Sequence, residues 1–185
     1  MKNFEVDSHL LEQVTASSQV FEGEFLNVFR DTVELPSGKH SIREYFRHPG
    51  AVVIIALLPS GKIVFERQYR HPLGRVFIEL PAGKIDAGEG IEQTARRELR
   101  EETGYVADEW VHLGVIHPCI GYSDEKIEIF VAKQVRREGE QRLDHNEFIE
   151  LIELTPQEAT MAVLNGEITD AKTIAALFWL SKEII

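Results

Sequence analysis

The chain has 185 residues, of which 43% are hydrophobic and 28% charged, and a formal net charge of −11 at pH 7. This length suits one compact domain with some elaboration, and no apolar stretch is long enough to cross a bilayer. The acidic balance, without a basic cluster interleaved with aromatic residues, argues against nucleic acid as a partner. The N-terminus lacks an apolar signal core, so we expect a cytoplasmic protein without a membrane partner.

The first predicted elements are strands. Residues 19–34 alternate apolar and polar side chains, and a second extended segment covers residues 40–48 after a Pro-Ser-Gly turn. Together they predict an N-terminal antiparallel hairpin. Residues 51–58 form a continuous apolar run rich in β-branched side chains, which is typical of a buried central strand. Further strands are predicted over residues 63–69 and 75–80.

Residues 91–103 predict a helix with a packing face and an acidic face. Its apolar residues recur every fourth position, at Ile91, Ala95 and Leu99, and Gly104 is placed to end the helix. The helical period brings three carboxylates within roughly 100° of arc on another face, those of Glu98, Glu101 and Glu102. Like charges this close destabilise a helix unless a cation is present. Hard divalent cations use such oxygens, so the pattern predicts a metal site.

The remaining elements complete a mixed fold. Residues 113–116, 127–135 and 147–154 resume strand character. Thr155 to Glu158 forms a capping box with proline at the first helical position, which predicts a helix over residues 156–165. Asp170 is expected to cap a final helix, with a packing face of Ile174, Leu177 and Phe178. This order predicts an α/β (α+β) fold, in which helices sandwich a mixed β-sheet.

Residues 83–105 also match a complete motif. Gly83 is followed after five residues by Glu89, and after seven more by the run Arg-Glu-Leu-Arg-Glu-Glu-Thr-Gly-Tyr. This is the pattern Gly-x5-Glu-x7-Arg-Glu-U-x-Glu-Glu-x-Gly-U of the Nudix box, where U is apolar or aromatic. The chain therefore resembles the Nudix hydrolases, which cleave nucleoside diphosphates linked to another moiety. The resemblance implies the Nudix α/β/α sandwich, with a catalytic domain over residues 49–185 and a β extension over residues 1–48.

The resemblance also implies how the box residues work. Mg²⁺, or Mn²⁺ in its place, would be the cofactor, with Glu98 and Glu102 as direct ligands. Glu101 is expected to be a ligand or an outer partner, and the backbone carbonyl of Ala82 to join the metal shell. Arg97 is expected to hold a carboxylate of the catalytic centre through a two-pronged hydrogen bond.

Three stretches outside the box resemble the ADP-ribose pyrophosphatase branch of the family, namely residues 66–72, 77–86 and 121–125. The resemblance places the diphosphate at Arg70 and makes Glu79 and Glu125 candidates for substrate contact. Many relatives have Ser-Pro-Gly downstream of the box, whereas this chain has Cys-Ile-Gly with Ile120 in place of the proline. Nucleotide sugars other than ADP-ribose therefore stay open as substrates.

In this branch the general base comes from an acidic loop after the box, here residues 142–148. Glu147 aligns best with the base, while Asp144 and His145 remain alternatives. A histidine is a suitable alternative because it accepts a proton near neutral pH.

The N-terminal hairpin resembles the extension that this branch uses for dimerisation. We therefore expect a homodimer, with Arg43 and Glu44 as substrate contacts in the extension. The expected reaction is metal-dependent hydrolysis of ADP-ribose to AMP and ribose 5-phosphate, or of another nucleotide sugar or dinucleotide. A module that binds ADP-ribose without cleaving it is the alternative from another functional class, although this chain keeps every glutamate of the box.

Overall fold

The structure is a computed structural model that describes residues 7–183. The chain divides into two compact units: the first contains the residues up to His48 together with Cys119–Glu125, and the second contains Pro49–Pro118 and the residues from Lys126 onward. No helix in the described part of the chain is long and apolar enough to span a membrane.

The first unit is built on a three-stranded antiparallel sheet in the order β1-β2-β3. Its strands are β1 (Gln13–Glu22), β2 (Asn27–Glu34) and β3 (His40–Arg47). The β2–β3 pair is the predicted hairpin. The single strand predicted over residues 19–34 is wrong, because the chain turns at residues 23–26, where the Gly23 amide donates to the Leu26 carbonyl at 2.9 Å. This turn is closed by backbone atoms, so the apolar–polar alternation of the side chains continues through it. The alternation therefore gave no sign of the turn.

Cys119–Glu125 joins the first unit through the end of β3. The Phe46 amide donates to the Tyr122 carbonyl at 3.0 Å, and the His48 amide donates to Asp124 Oδ1 at 2.8 Å. Ile120, at the position that departs from the family proline, lies in this segment with 84% of its surface exposed. The segment falls within residues 49–185 of the predicted domain division, but it packs with the unit that precedes that range.

The second unit contains two sheets. The larger has the order β7-β4-β9-β8, with β4 and β9 parallel and the other pairs antiparallel, as predicted for a mixed sheet. Its strands are β4 (Ala51–Ala56), β7 (Ala82–Lys84), β8 (Tyr105–Ile116) and β9 (Ile127–Arg137). The smaller sheet is antiparallel with the order β10-β5-β6. Its strands are β5 (Ile63–Arg70), β6 (Arg75–Glu79) and β10 (Ile149–Leu154).

Three helices cover the two faces of β4, which confirms the predicted sandwich. They are α1 (Ile91–Thr103), α2 (Pro156–Leu164) and α3 (Ala171–Glu183). Val52 and Ile54 of β4 share a buried cluster with Ala95 and Leu99 of α1. Alternate residues of β4 pack instead with residues of α2 and α3. Because β4 is buried on both faces, its sequence is apolar throughout.

The predicted helix ends are present. Gly104 ends α1 in the left-handed conformation at φ 72°, and the capping box of Thr155 and Glu158 begins α2. Asp170 Oδ2 accepts a hydrogen bond of 3.0 Å from the Thr173 amide in the first turn of α3.

The predicted packing face of α3 is wrong in part. Ile174 and Phe178 are exposed, whereas Thr173, Ala176 and Leu180 are buried. The hydroxyl of Thr173 accepts a hydrogen bond of 2.9 Å from the buried Leu80 amide. This hydrogen bond accompanies burial of the α3 face that contains Thr173. The positions of the apolar residues alone had predicted burial of the neighbouring face.

Candidate active site

The carboxylate of Glu98 lies directly on the backbone of β7. Gly83 of β7 pairs with Val52 of β4, and a Cβ atom at Gly83 would overlap the Glu98 carboxylate. The glycine of the box is therefore required by a close approach of a side chain to the backbone. Burial raises the pKa of Glu98, while the neighbouring Arg97 opposes this shift.

Glu102 lies one helical turn after Glu98 and is more deeply buried, at 5% exposure. Its Oε2 atom accepts a hydrogen bond of 3.0 Å from the Ala82 amide. Burial, followed by the nearby Glu66 and Glu98 carboxyls, raises the pKa of Glu102 well above its usual range. The helix thus presents two shielded carboxylates to the short β7 strand.

Glu66 of β5 belongs to the same cluster, although no motif or periodicity in the sequence marks it as a site residue. It is 2% exposed, and its carboxyl lies in hydrogen-bonding contact with that of Glu102. Burial raises the pKa of Glu66 to about 8. Its Oε1 atom has no hydrogen-bond partner among the described residues.

The donor set of this cluster suits a hard divalent cation, because carboxylate oxygens are the preferred ligands of Mg²⁺. An orphaned buried oxygen at Glu66 and a glycine cradle under Glu98 both fit such an ion. Within residues 7–183, however, no three acidic, histidine or cysteine side chains already converge as a metal cage. Water and substrate phosphates would have to complete the shell, as they commonly do for Mg²⁺.

Arg97 connects the carboxylates on the outer side of the cluster. Its Nε atom donates to Glu89 Oε1 at 3.1 Å and its Nη2 atom to Glu89 Oε2 at 2.9 Å, which is the predicted two-pronged hydrogen bond. Its Nη1 atom donates to Glu98 Oε1 at 2.8 Å and to Glu101 Oε2 at 3.1 Å. The hydrogen bond from Arg97 lowers the pKa of Glu89. One guanidinium therefore orients three acidic side chains of the box.

Arg70 is held by a second buried acid, Glu79. The Nε and Nη2 atoms of Arg70 donate to the two carboxylate oxygens of Glu79 at 2.7 and 2.8 Å. Lys172 of α3, which the sequence analysis missed, donates to Glu79 and, at 3.0 Å, to Asp170 Oδ2. Burial alone would raise the pKa of Glu79, but Arg70 and Lys172 lower it. Glu79 is thus occupied by two cations, while the Arg70 side chain remains 44% exposed.

Glu147 lies in a loop that is tied to the end of α1. The Gln141 side chain donates to the Glu102 carbonyl at 2.7 Å, and the Arg142 amide donates to the Glu101 carbonyl at 2.7 Å. The charge of Glu147 contributes to the raised pKa values of Glu98 and Glu102, so Glu147 lies within electrostatic range of both carboxyls.

A groove of about 460 Å³ runs beside Glu147. The side chains that line it include two exposed aromatic residues, Tyr69 and Phe148, together with Arg67, Val76 and Leu143. Asp144 and His145 are exposed and do not line this groove. The structure therefore brings Glu147, rather than the two alternatives, to the cavity.

The other predicted substrate residues lie in the first unit. Arg43 donates to Glu12 Oε2 at 3.0 Å, and Glu44 accepts from Arg30 at 2.9 Å. Glu125 lies 3.9 Å from His48 Nε2. Each of these residues already has a partner of opposite charge, or of potential opposite charge, within that unit.

Gly83→Ala is expected to weaken Mn²⁺ binding by about 10- to 100-fold, because the new methyl group displaces the Glu98 carboxylate. Stability should fall by only about 1 kcal/mol or less, since the far end of a flexible side chain can move aside. Calorimetric titration with Mn²⁺ and urea unfolding measure the two effects. Gly139→Ala, where a Cβ meets no atom within 4 Å, is the control. Unchanged Mn²⁺ affinity in Gly83→Ala would contradict the prediction.

Comparison with known proteins agrees with this geometry. Residues 47–177 match the family model described as the NUDIX domain, and residues 12–46 match the nucleoside diphosphate sugar hydrolase N-terminal domain. An ADP-ribose pyrophosphatase of Bacillus subtilis (strain 168) is 41% identical over 172 residues, which cover 92% of this chain and 93% of that protein. A methanol dehydrogenase activator of Bacillus methanolicus is 43% identical over 170 residues, which cover 91% and 92% of the two chains.

Solved structures share the fold. One described as an ADP compounds hydrolase superposes with a TM-score of 0.85 and covers 95% of each chain, at 22% sequence identity. That likeness shows the architecture alone, whereas the family model covers most of the second unit, including the whole box helix. Because the NUDIX family model matches residues 47–177, which is well over half of its length, the chain belongs to the Nudix family.

Proposed function

We propose that this protein hydrolyses the diphosphate linkage of a nucleoside diphosphate sugar, with ADP-ribose giving AMP and ribose 5-phosphate. The observation that carries the proposal is the face of α1, where Glu98 and Glu102 are buried against β7 and Arg97 orients the outer acids. The relative of 41% identity that is named ADP-ribose pyrophosphatase supports the choice of substrate.

The proposed cofactor is Mg²⁺, with Mn²⁺ as a substitute. Glu98 and Glu102, the Ala82 carbonyl and Glu101 would hold it. When bound, such an ion neutralises phosphate oxygens and lowers the pKa of a coordinated water. Arg97 keeps Glu98 and Glu101 turned towards each other, so the site does not depend on an ion to orient these acids.

Arg70 is the proposed partner of the diphosphate. Glu79 binds its Nε and Nη2 atoms, and its Nη1 atom makes no hydrogen bond to other described residues. A guanidinium fixed in this way loses little conformational entropy when it binds a phosphate. We therefore propose that Glu79 and Lys172 position Arg70. Glu79 would then affect substrate binding indirectly, by orienting that arginine.

Glu147 is the proposed general base that accepts a proton from the attacking water. Its carboxylate lines the groove and acts electrostatically on Glu98 and Glu102. The Asp144 amide donates to Glu147 Oε2 at 3.3 Å, which restrains the carboxylate without neutralising it. Asp144 and His145 are the alternatives that the variants below separate.

The N-terminal β extension over residues 1–48 is proposed to dimerise the protein, and residues 49–185 to form the catalytic domain. Exposed apolar residues on β1 and in the turn that follows it, including Val20, Phe21 and Phe25, support a homodimer. In it, Arg43, Glu44 and Glu125 would contact the substrate. A monomer in light scattering at micromolar concentration would contradict the proposed homodimer.

We also propose that the protein is cytoplasmic, and subcellular fractionation tests this location.

Metal-dependent hydrolysis should disappear when the acidic face of α1 is neutralised. In the variant that combines Glu98→Gln with Glu102→Gln, turnover of ADP-ribose should fall by at least about 10²-fold, because both ionised oxygen ligands are lost. Phosphate release after coupled phosphatase treatment, measured with Mg²⁺ or with a chelator, reports the reaction.

The control for this assay is Glu153→Gln, because Glu153 is half-exposed on β10 and 3.8 Å from Lys62. A panel of nucleotide sugars and dinucleotides tests the other substrates that Ile120 leaves open. Binding of ADP-ribose without turnover of any panel member would favour the non-catalytic module. Full activity in the presence of chelator would exclude the proposed chemistry.

Glu147→Gln should reduce kcat by about 10²- to 10⁴-fold with little change in KM, since the amide cannot accept the proton. The matched variants Asp144→Asn and His145→Gln should keep kcat within about threefold of the wild type, because these exposed residues are not expected to take part in the proton transfer. Steady-state kinetics with ADP-ribose distinguishes the three. A near-normal kcat in Glu147→Gln would contradict the assignment of Glu147 as the base. A loss of kcat in Asp144→Asn or His145→Gln would then identify Asp144 or His145, respectively, as the general base.

A second candidate function is activation of a dehydrogenase. It is favoured by the 43% identity, over nearly the whole of both chains, to the protein named methanol dehydrogenase activator. The two functions are compatible, because activation could use the same hydrolytic site. Adding the protein to a methanol dehydrogenase assay tests the second function, and an unchanged rate would exclude it.

A further inference from the structure

Glu66 occupies a position where an ionisable residue is costly. It lies on the central strand of the small sheet, opposite Leu151 of β10 and Glu79 of β6. The three residues before it, Ile63 to Phe65, are fully buried, and Glu66 itself is 2% exposed. A carboxylate at such a depth is destabilising unless it is paired with a cation or fully hydrogen-bonded.

The surroundings of Glu66 provide neither form of compensation. Its carboxyl contacts that of Glu102, and its Oε1 atom has no hydrogen-bond partner in the described chain. Arg70 and Lys172 act on it only at a distance, because both bind Glu79. Two carboxyl groups are therefore buried side by side, one on a strand and one on the acidic face of α1, and neither forms an ion pair with another described residue.

We propose that Glu66 is an additional acidic component of the divalent metal centre, where it strengthens cation binding through its contact with Glu102. The inference rests on the proposed function, because it requires the metal site on α1. It goes beyond the box, since Glu66 lies 17 positions before Gly83 on a different sheet. A divalent cation compensates this cluster well, because it has the matching charge and prefers carboxylate oxygens.

The structural role that competes with this one is an acid retained only for packing in β5. The two roles differ in what happens when the charge is removed. If Glu66 belongs to the metal centre, its loss weakens cation binding. If it only fills space, an isosteric replacement leaves cation binding unchanged.

The experiment is a calorimetric titration of the whole protein with Mn²⁺ in the absence of substrate. Glu66→Gln should lower the affinity by about tenfold or more, as removal of a carboxylate that supports a metal ligand commonly does. Glu153→Gln removes an equal charge from the same small sheet, at a half-exposed site, and should change the affinity by less than about twofold.

A second measurement is thermal unfolding with a chelator and with saturating Mn²⁺. In chelator, Glu66→Gln should unfold at the same or a higher temperature than the wild type, because the glutamine amide can donate to Glu102. The stabilisation caused by Mn²⁺ should be smaller in the variant, because bound ligand stabilises in proportion to its affinity. A variant that merely folds poorly would instead lose stability in both conditions.

The outcomes separate this inference from the proposed function. Wild-type protein that binds no Mn²⁺ would overturn both. Wild-type binding that Glu66→Gln leaves unchanged, or that Glu153→Gln weakens equally, would overturn the inference alone. If Glu66→Gln does not fold, Glu66→Met removes the charge at nearly the same side-chain length, and the same comparison decides.

Discussion

The organisation of the second unit depends on the contact between the acidic face of α1 and the backbone of β7. Glu98 lies on Gly83, and Glu102 accepts from the Ala82 amide. Close packing is needed to bring the helix to this strand, yet it also buries carboxylates that water would otherwise stabilise. Ala95 and Leu99 supply the packing from the same helix. The helix therefore serves the core and the site at once.

The free-energy cost of burying the carboxyl groups of the site is compensated to different degrees on its outer and inner sides. On the outer side, Arg97 binds Glu89, Glu98 and Glu101 through one guanidinium. On the inner side, Glu102 has a backbone amide and the carboxyl of Glu66 as neighbours. A different arrangement occurs at Glu79 of β6, which is paired with two cations, Arg70 of β5 and Lys172 of α3. The contrast between an acid with two cationic partners and a buried pair of acids supports the proposed cation site.

Short-range patterns predicted the box helix well. Its bounds, its terminal glycine and the two-pronged hydrogen bond that Arg97 makes to a carboxylate were predicted from residues close together in the chain, although the partner, Glu89, was not named. Elements without a local signal were missed: β1 continues the alternation of its neighbour, and β7 has only three residues. Lys172 and Glu79 are 93 positions apart, and Gln141 and Glu102 are 39 apart. No periodicity links residues at such separations, so their contacts were beyond prediction from one sequence.

The sequence by itself determined the family, the box helix, the mixed fold and the acidic residues of the box, because these depend on spacing within one element or one motif. The tertiary structure alone decided which acids are buried together. It placed Glu66 against Glu102, occupied Glu79 with two cations and brought Glu147, instead of Asp144 or His145, to the groove. Burial and pairing arise when distant strands and helices meet, and they shift the pKa values of these acids.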